Sequence, residues 1–253
     1  MATTFCLIRH AEHGLQGRPL VGRAAGVGLS PEGERQARAL ADRLAPAPIT
    51  AVYTSPLERA QQTAAPLAAR LGLVVRSADE LNELDFGAWT GKAIDELDPQ
   101  QAWRRFNVFR SGTRIPDGEL MLEAQTRIVG LMLRLAERHA NRTVALVSHG
   151  DVIKAALCYF LGMPLDLCRR IEIGPASLSI VRLDPWEPQV LLVNGRAAGT
   201  LYTAALGPPA LEAERRARAR CARGQRSGRM PTTHRRAGAE RIDRRWSRRP
   251  AST

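Results

Sequence analysis

The sequence predicts an α/β fold: a three-layer α/β/α sandwich around a mostly parallel central sheet. Three observations carry that expectation. Apolar, β-branched runs recur at residues 4–8, 49–53, 73–75 and 143–147, each bounded by polar, Gly or Pro residues and too short for a helix. The segments between them place apolar residues at helical spacing. The runs also lack polar alternation, as strands covered by helices on both faces do.

Taken in order, the first strand stops abruptly at Arg9-His10, and a Gly- and Arg-rich loop follows over residues 14–29. Ser30-Pro31 reads as an N-cap with Pro in the first helical position, opening a helix whose face is Ala37, Leu40, Ala41 and Leu44. After the strand at 49–53, Thr54-Ser55-Pro56 repeats the cap-then-Pro signal and predicts a helix carrying Leu57, Ala60, Ala64, Leu67 and Leu71. A short strand is expected at 73–75. Residues 92–118 are aromatic and basic (Trp103, Arg104, Arg105, Phe106, Phe109, Arg110, Arg114) without a clean period, and read as a lid-like insertion over the sheet edge. Pro116-Asp117-Gly118 punctuates it before a long helix over 119–140, with Met121, Leu122, Ile128, Val129 and Met132 as core. A strand at 143–147, a helix at 151–161 and strands at 177–182 and 190–193 complete a domain over residues 1–207. Pro208-Pro209 marks a boundary, and residues 208–253 read as a disordered, Arg-rich tail with a short basic helix at 212–223.

Composition narrows the function classes. The net charge of +12 suggests nucleic acid until it is located: from Leu211 onward there are 14 Arg against 4 acids, which is +10 and leaves +2 for the first 210 residues. The tail has one aromatic, Trp246, and Lys is nearly absent from the whole chain, so non-specific, salt-sensitive nucleic-acid binding by the tail is all that is indicated. Cys6, Cys158, Cys168 and Cys221 follow no framework, and three of them lie in or beside apolar segments, as reduced core thiols do. The chain shows no signal peptide and no run of membrane-spanning length, so a soluble cytoplasmic protein without a membrane partner is expected.

Chemistry gathers where strands end. Arg9-His10 follows the first strand, and Arg59 falls in the first turn of the second helix, the end where the dipole disfavours a cation unless an anion shares the site. The stretch after the third strand, residues 80–91, offers Glu83 and Asp85 beside Phe86, Gly87 and Trp89, and apolar walls raise a carboxyl pKa toward neutrality. Ser148-His149-Gly150-Asp151 ends the fourth strand. Each alone has a bland reading as a solvated or hydrogen-bonded residue. Two His, two Arg and a Glu at one sheet edge suit phosphoryl transfer through a phosphohistidine, with the two Arg and a protonated second His holding the phosphoryl oxygens. No metal and no cofactor is required by that chemistry. His13 has no ligand spacing around it to support a metal site. His139 is expected to meet the carbonyls at its helix end.

Leu7-Ile8-Arg9-His10, Ser55-Pro56-Leu57 with Arg59-Ala60 and Thr63, Asn82-Glu83 with Phe86-Gly87, Trp89 and Gly91, and Val147-Ser148-His149-Gly150 occur in that order. Through these four motifs the chain resembles, over about residues 4–195, the histidine phosphatase superfamily, in its phosphoglycerate mutase-like branch. The resemblance implies that fold, with His10 as the phosphorylated nucleophile, Arg9, Arg59 and His149 lining the phosphate pocket, and Glu83 as the proton donor. Gln16, Arg23, Ser55 and Gly150 are the further candidates for phosphate or substrate contacts. The chain departs from the pattern at Ala11, where Gly is usual, at Glu12-His13-Gly14, at Gln16, where many members carry Asn, and at Asp151. The resemblance implies a metal-independent phosphatase acting on a phosphorylated small molecule. A phosphomutase is the close alternative, disfavoured by an insertion shorter than in glycolytic mutases. A nucleic-acid or acidic-partner binder led by the tail is the alternative from another class. No motif fixes the substrate or the oligomeric state, with which a homodimer is compatible.

Overall fold

The first strand alternates between two hydrophobic cores, and this organises the molecule. In chain order the elements are β1 (Thr3–Arg9), α1 (Pro31–Leu44), β2 (Ile49–Thr54), α2 (Glu58–Leu71), β3 (Val75–Ser77), α3 (Ile94–Leu97), α4 (Gln101–Val108), α5 (Met121–Arg138), β4 (Thr143–Ser148), α6 (Gly150–Phe160), β5 (Leu178–Leu183) and β6 (Pro188–Gly195). Successive side chains of a strand point to opposite faces. Phe5 and Leu7 accordingly join Val144 and Leu146 in a core shared with α5 and α6, while Cys6 and Ile8 join Ala145 and Val147 in a second core shared with α1 and α2. The expected three layers follow. The computed structural model describes residues 2–15 and 19–196, all within a compact unit, Met1–Ala210. A second unit, Leu211–Thr253, lies outside the described residues, as do Gln16, Cys221 and the tail expected over 208–253.

The six strands lie in the order β3-β2-β4-β1-β5-β6. The first four strands of the chain run parallel, and β5 and β6 add an antiparallel edge beside β1. Because the chain passes from β1 to β2 while β4 fills the gap between them, the crevice beyond the carboxyl ends of these strands is the ligand position of such a sheet. Register sets the contents of that crevice. Arg9 lies opposite Ser148, and Thr54 opposite Val147, so three strands finish nearly level. The backbone N–H of His10 donates to Ser148 O (2.9 Å), and that of Ser55 to Val147 O (2.9 Å).

Most elements form where the sequence places them, including the Ser30 cap, whose side chain accepts from Gly33 N. Five details differ. The second helix starts at Glu58 with Leu57 as N-cap, and the Ser55 hydroxyl, paired with His149 Nε2 (2.8 Å), accepts from Leu57 N (3.3 Å) ahead of the helix. The third strand is displaced to Val75–Ser77, with Gly72 in a left-handed conformation ending α2 and Leu73-Val74 spent on the turn. The aromatic and basic stretch holds two short helices, α3 and α4, whose one or two turns are too few to display a period. Leu122 is exposed, although the other expected core positions of α5 are buried. The His139 ring meets Tyr53 Oη of β2 (3.0 Å) instead of the carbonyls of its own helix. Among the described residues, no helix is long and apolar enough to cross a membrane.

A third, smaller core seats the loop after β3. Trp103 and Phe106 of α4 meet Trp89 edge-on at 5.2 and 5.4 Å between ring centroids, and Leu84 and Phe86 join them. Gly87 makes the close approach possible: it has φ +42°, and a Cβ there would lie 2.2 Å from Pro116 O. Gly87→Ala is therefore expected to cost roughly 2 kcal/mol or more through strain and overlap. A urea titration reads this as a lower midpoint with an unchanged m-value.

Candidate active site

His10 follows the last residue of β1 and is 2% exposed. Its ring is held by Nδ1–H donating to Ala11 O (2.7 Å), which leaves the lone pair on Nε2. The hydrogen bond that orients the loop is Ala11 N–H to Thr63 Oγ1 (2.9 Å), and Thr63 in turn donates to Arg59 O. Burial lowers the His10 pKa well below the usual value, and Arg59 and Arg9 push it further down. The imidazole is thus neutral, which a nucleophile must be.

Two guanidinium groups face this ring. Arg9 donates to Ile173 O (2.6 Å) and Arg59 to Gly22 O (2.7 Å). Their remaining needs are unmet: Arg9 Nε, Arg59 Nε and Arg59 Nη1 are buried with no hydrogen-bond partner. Buried polar groups are ordinarily paired, and orphaned cationic N–H groups cost more than neutral ones. Arg9 and Arg59 border one cavity, and neither is in a salt bridge among the described residues, which suits an anion there. That cavity, of about 310 Å³, is lined among others by Arg9, His10, His13, Arg59, Glu83 and Gly150.

His149 caps α6, its ring centroid 5.0 Å from that of His10. Nε2 pairs with Ser55 Oγ (2.8 Å), while Nδ1 lies 3.4 Å from Arg59 Nη2 and 3.7 Å from Glu83 Oε2. Burial, then the neighbouring His10 and Arg59, lowers its pKa well below the usual value. The second imidazole, expected to be protonated, is therefore held neutral by its surroundings. The positive charge there is borne by the arginines.

Glu83 projects from the loop after β3, with Oε1 accepting from Leu84 N (2.9 Å). Its pKa is raised to about 7, chiefly by burial and then by Asp151, against the pull of the Leu84 hydrogen bond, Arg59 and Arg9. A carboxyl half-protonated near neutrality beside a nucleophile is suited to give and take one proton.

Of the other candidates, Gly150 lines the cavity as the first residue of α6. Ser55 is fully buried and acts on His149. Arg23 lies elsewhere: it donates to Glu83 O (2.8 Å) and pairs with Asp85 (3.3 Å) and Glu119 (3.0 Å), which holds the acid loop from behind. Arg104 and Arg114 are likewise engaged, with Asp98 O and with Glu123. Arg110 is buried against Asp151 (3.2 Å). Motif reading did not give Thr63, Arg127 or Ser148 a supporting role. Arg127 donates to the carbonyls of Glu80 and Glu83, and Ser148 Oγ to Leu81 O. Thr63 and Ser148 had a signal, their places in the second and fourth motifs; Arg127 had none. Among the described residues, no group of three or more His, Cys, Asp or Glu is arranged to hold a metal.

The family description "Histidine phosphatase superfamily (branch 1)" matches residues 5–196. Phosphoserine phosphatase 1 of Hydrogenobacter thermophilus is 31% identical over 74% of this chain and 90% of its own length. A Yersinia enterocolitica protein named "Probable phosphoglycerate mutase GpmB" is 34% identical over 81% of this chain and 96% of its own. Among solved structures, the phosphoserine phosphatase of Entamoeba histolytica in complex with phosphoserine superposes with a TM-score of 0.71 at 25% identity, covering 78% of this chain and 98% of that one. A mycobacterial glucosyl-3-phosphoglycerate phosphatase does so with a TM-score of 0.70 at 25% identity, covering 77% and 100%.

Proposed function

The chain belongs to the histidine phosphatase superfamily, and from that premise we propose that it hydrolyses a phosphomonoester, without a metal, through a phosphohistidine on His10. One observation carries the reading: a neutral, buried imidazole shares a cavity with Arg9 and Arg59, neither of which forms a salt bridge among the described residues. A phosphoryl dianion supplies the acceptors they lack. His10 Nε2 then attacks phosphorus as the P–O bond to the alcohol breaks, and Glu83 delivers its proton to the leaving oxygen. In the second half, water attacks phosphorus, the P–N bond breaks, and the Glu83 carboxylate takes the proton of the water. Arg9, Arg59, His149 and the N-terminus of α6 at Gly150 hold the equatorial oxygens throughout. The leaving alcohol has room in an adjoining cavity of about 630 Å³ between α4 and the site, sharing Leu20, Phe86, Ile94 and Asp151.

Hydrolysis is favoured over phosphoryl return to a second alcohol by the phosphatase names of the relatives that share the fold. The mutase reading keeps one supporting observation, the 34% identity to the relative named as a mutase. A single experiment addresses both. Protein mixed with an aryl phosphate in the presence of a chelator and quenched in alkali is expected to yield an acid-labile, alkali-stable phosphoryl adduct on His10, and free orthophosphate at steady state. Adduct that releases no orthophosphate but passes its phosphoryl group to an added alcohol, forming a new phosphate ester, would favour the mutase. No adduct and no orthophosphate would remove the proposal.

A further inference from the structure

His13, like Asp151 and Lys154, is a titratable residue of the cavity that neither the family motifs nor the mechanism above employs. It is 8% exposed and lines the cavity together with Arg9, His10 and Arg59, its ring centroid 5.5 Å from that of His10. Neither of its nitrogens has a hydrogen-bond partner among the described residues, and Nδ1 is sealed from solvent. A buried imidazole left wholly unpaired is costly, so its position calls for a cause.

The loop is built to hold it there. Glu12, immediately before it, is fixed on three sides. Its N–H donates to Gln36 Oε1 (3.0 Å), its carbonyl accepts from Ser30 N (3.0 Å), and Gly33 of α1 lies so close that a Cβ would stand 1.9 Å from that carbonyl. Ala11 is tied to Thr63 on the opposite side. Two pinned neighbours leave the His13 side chain little freedom except to face the anion site.

Its protonation state follows from its surroundings. Burial first, then Arg59 and Arg9, lowers the His13 pKa to about 4, so the ring carries a single proton at neutral pH. A sealed, unpaired N–H is rarer than an unpaired acceptor, which places that proton on Nε2 and the lone pair on the sealed Nδ1. The nitrogen with access to the cavity is then a donor, and it can remain one across the working pH range.

We propose that His13 binds the phosphoryl group as a neutral hydrogen-bond donor through Nε2–H, adding a directional contact to the charge supplied by Arg9 and Arg59. The inference rests on the phosphoryl reading of the cavity. It also gives the departure at Ala11-Glu12-His13 a purpose: an uncharged donor orients an equatorial oxygen without adding a third cation beside Arg9 and Arg59.

Inorganic sulfate tests this, since it is a dianion of phosphoryl shape from pH 5 to 8. Its affinity is measured by calorimetry for the wild type, His13→Phe and His13→Gln, the first variant keeping ring volume and the second keeping an N–H donor. Loss of a hydrogen bond to a charged group predicts roughly tenfold weaker binding by the Phe variant, with much of it regained by Gln. In the wild type, saturating sulfate is expected to move the ring ¹⁵N and Nε2–H resonances of His13 while the ring stays neutral, and this reading holds even if a variant fails to fold. Unmoved His13 resonances, or sulfate affinity unchanged in His13→Phe, would overturn the inference. If the wild type forms its phosphoenzyme while His13 is blind to sulfate, this inference alone fails. If it neither binds sulfate nor forms a phosphoenzyme, the underlying reading fails with it.

Discussion

His10→Ala is expected to lose aryl phosphatase activity by roughly 10⁴-fold or more, equivalent to about 5 kcal/mol of transition-state stabilisation. The size of the loss follows from what remains. Without Nε2 there is no covalent intermediate, and the guanidinium groups hold a phosphoryl group with nothing in line to attack it. Binding should survive: removing a neutral ring from between Arg9 and Arg59 leaves their partnerless nitrogens in place. The variant is therefore expected to bind sulfate about as tightly as the wild type while forming no adduct. Equal turnover in the two proteins, measured with a chelator present, would remove His10 as nucleophile.

The anion clamp was legible in the sequence because it is assembled by strand ends. Arg9-His10, Arg59 and Ser148-His149 all follow short apolar runs, and a parallel ladder brings such ends level: Arg9 lies opposite Ser148, and Thr54 opposite Val147. Local pattern and sheet register agree there, so reading one gave the other. Where side chains choose partners across the fold, the pattern was silent. The Ser55-Pro56 pair reads locally as a helix cap, yet the hydroxyl is taken by His149, 94 residues away. Arg23 reads as one more cation near the site, yet Asp85 and Glu119 claim it. The short helices of the insertion escaped because Trp103 and Phe106 owe their burial to Trp89 and Leu84, which lie outside the segment. His13 could be noticed as a departure from pattern, but only its sealed and unpaired Nδ1 shows that it is positioned and unsatisfied.

Glu83→Gln should separate the two proton transfers. The substitution keeps the size of the side chain and an oxygen to accept from Leu84 N, but it can neither give nor take a proton. For an alkyl phosphate, whose alkoxide must be protonated as it leaves, kcat/KM is expected to fall by about 10²–10⁴. For p-nitrophenyl phosphate the leaving group departs unaided, so phosphorylation of His10 should proceed and hydrolysis of the adduct become limiting, giving a burst of nitrophenol and accumulated phosphoenzyme. The pH dependence carries the same information. With a pKa of about 7, wild-type Glu83 is the required acid below neutrality, so kcat/KM for the alkyl ester should decline above pH 7, a limb that the variant lacks. Stability should move the other way. The carboxyl pKa is raised from 4.5 to about 7 on folding, so its protonated form favours the native state; that contribution is complete below pH 4.5 and is lost as pH rises through 7. The amide does not ionise. Glu83→Gln is thus expected to match the wild type near pH 4 and to exceed it at pH 8 by up to roughly 3 kcal/mol. A variant that is less active yet more resistant to urea at pH 8 would show that the site holds its acid at a cost to the fold. A variant no more stable at pH 8 than the wild type would mean that Glu83 ionises at its ordinary pH and is not the proton donor.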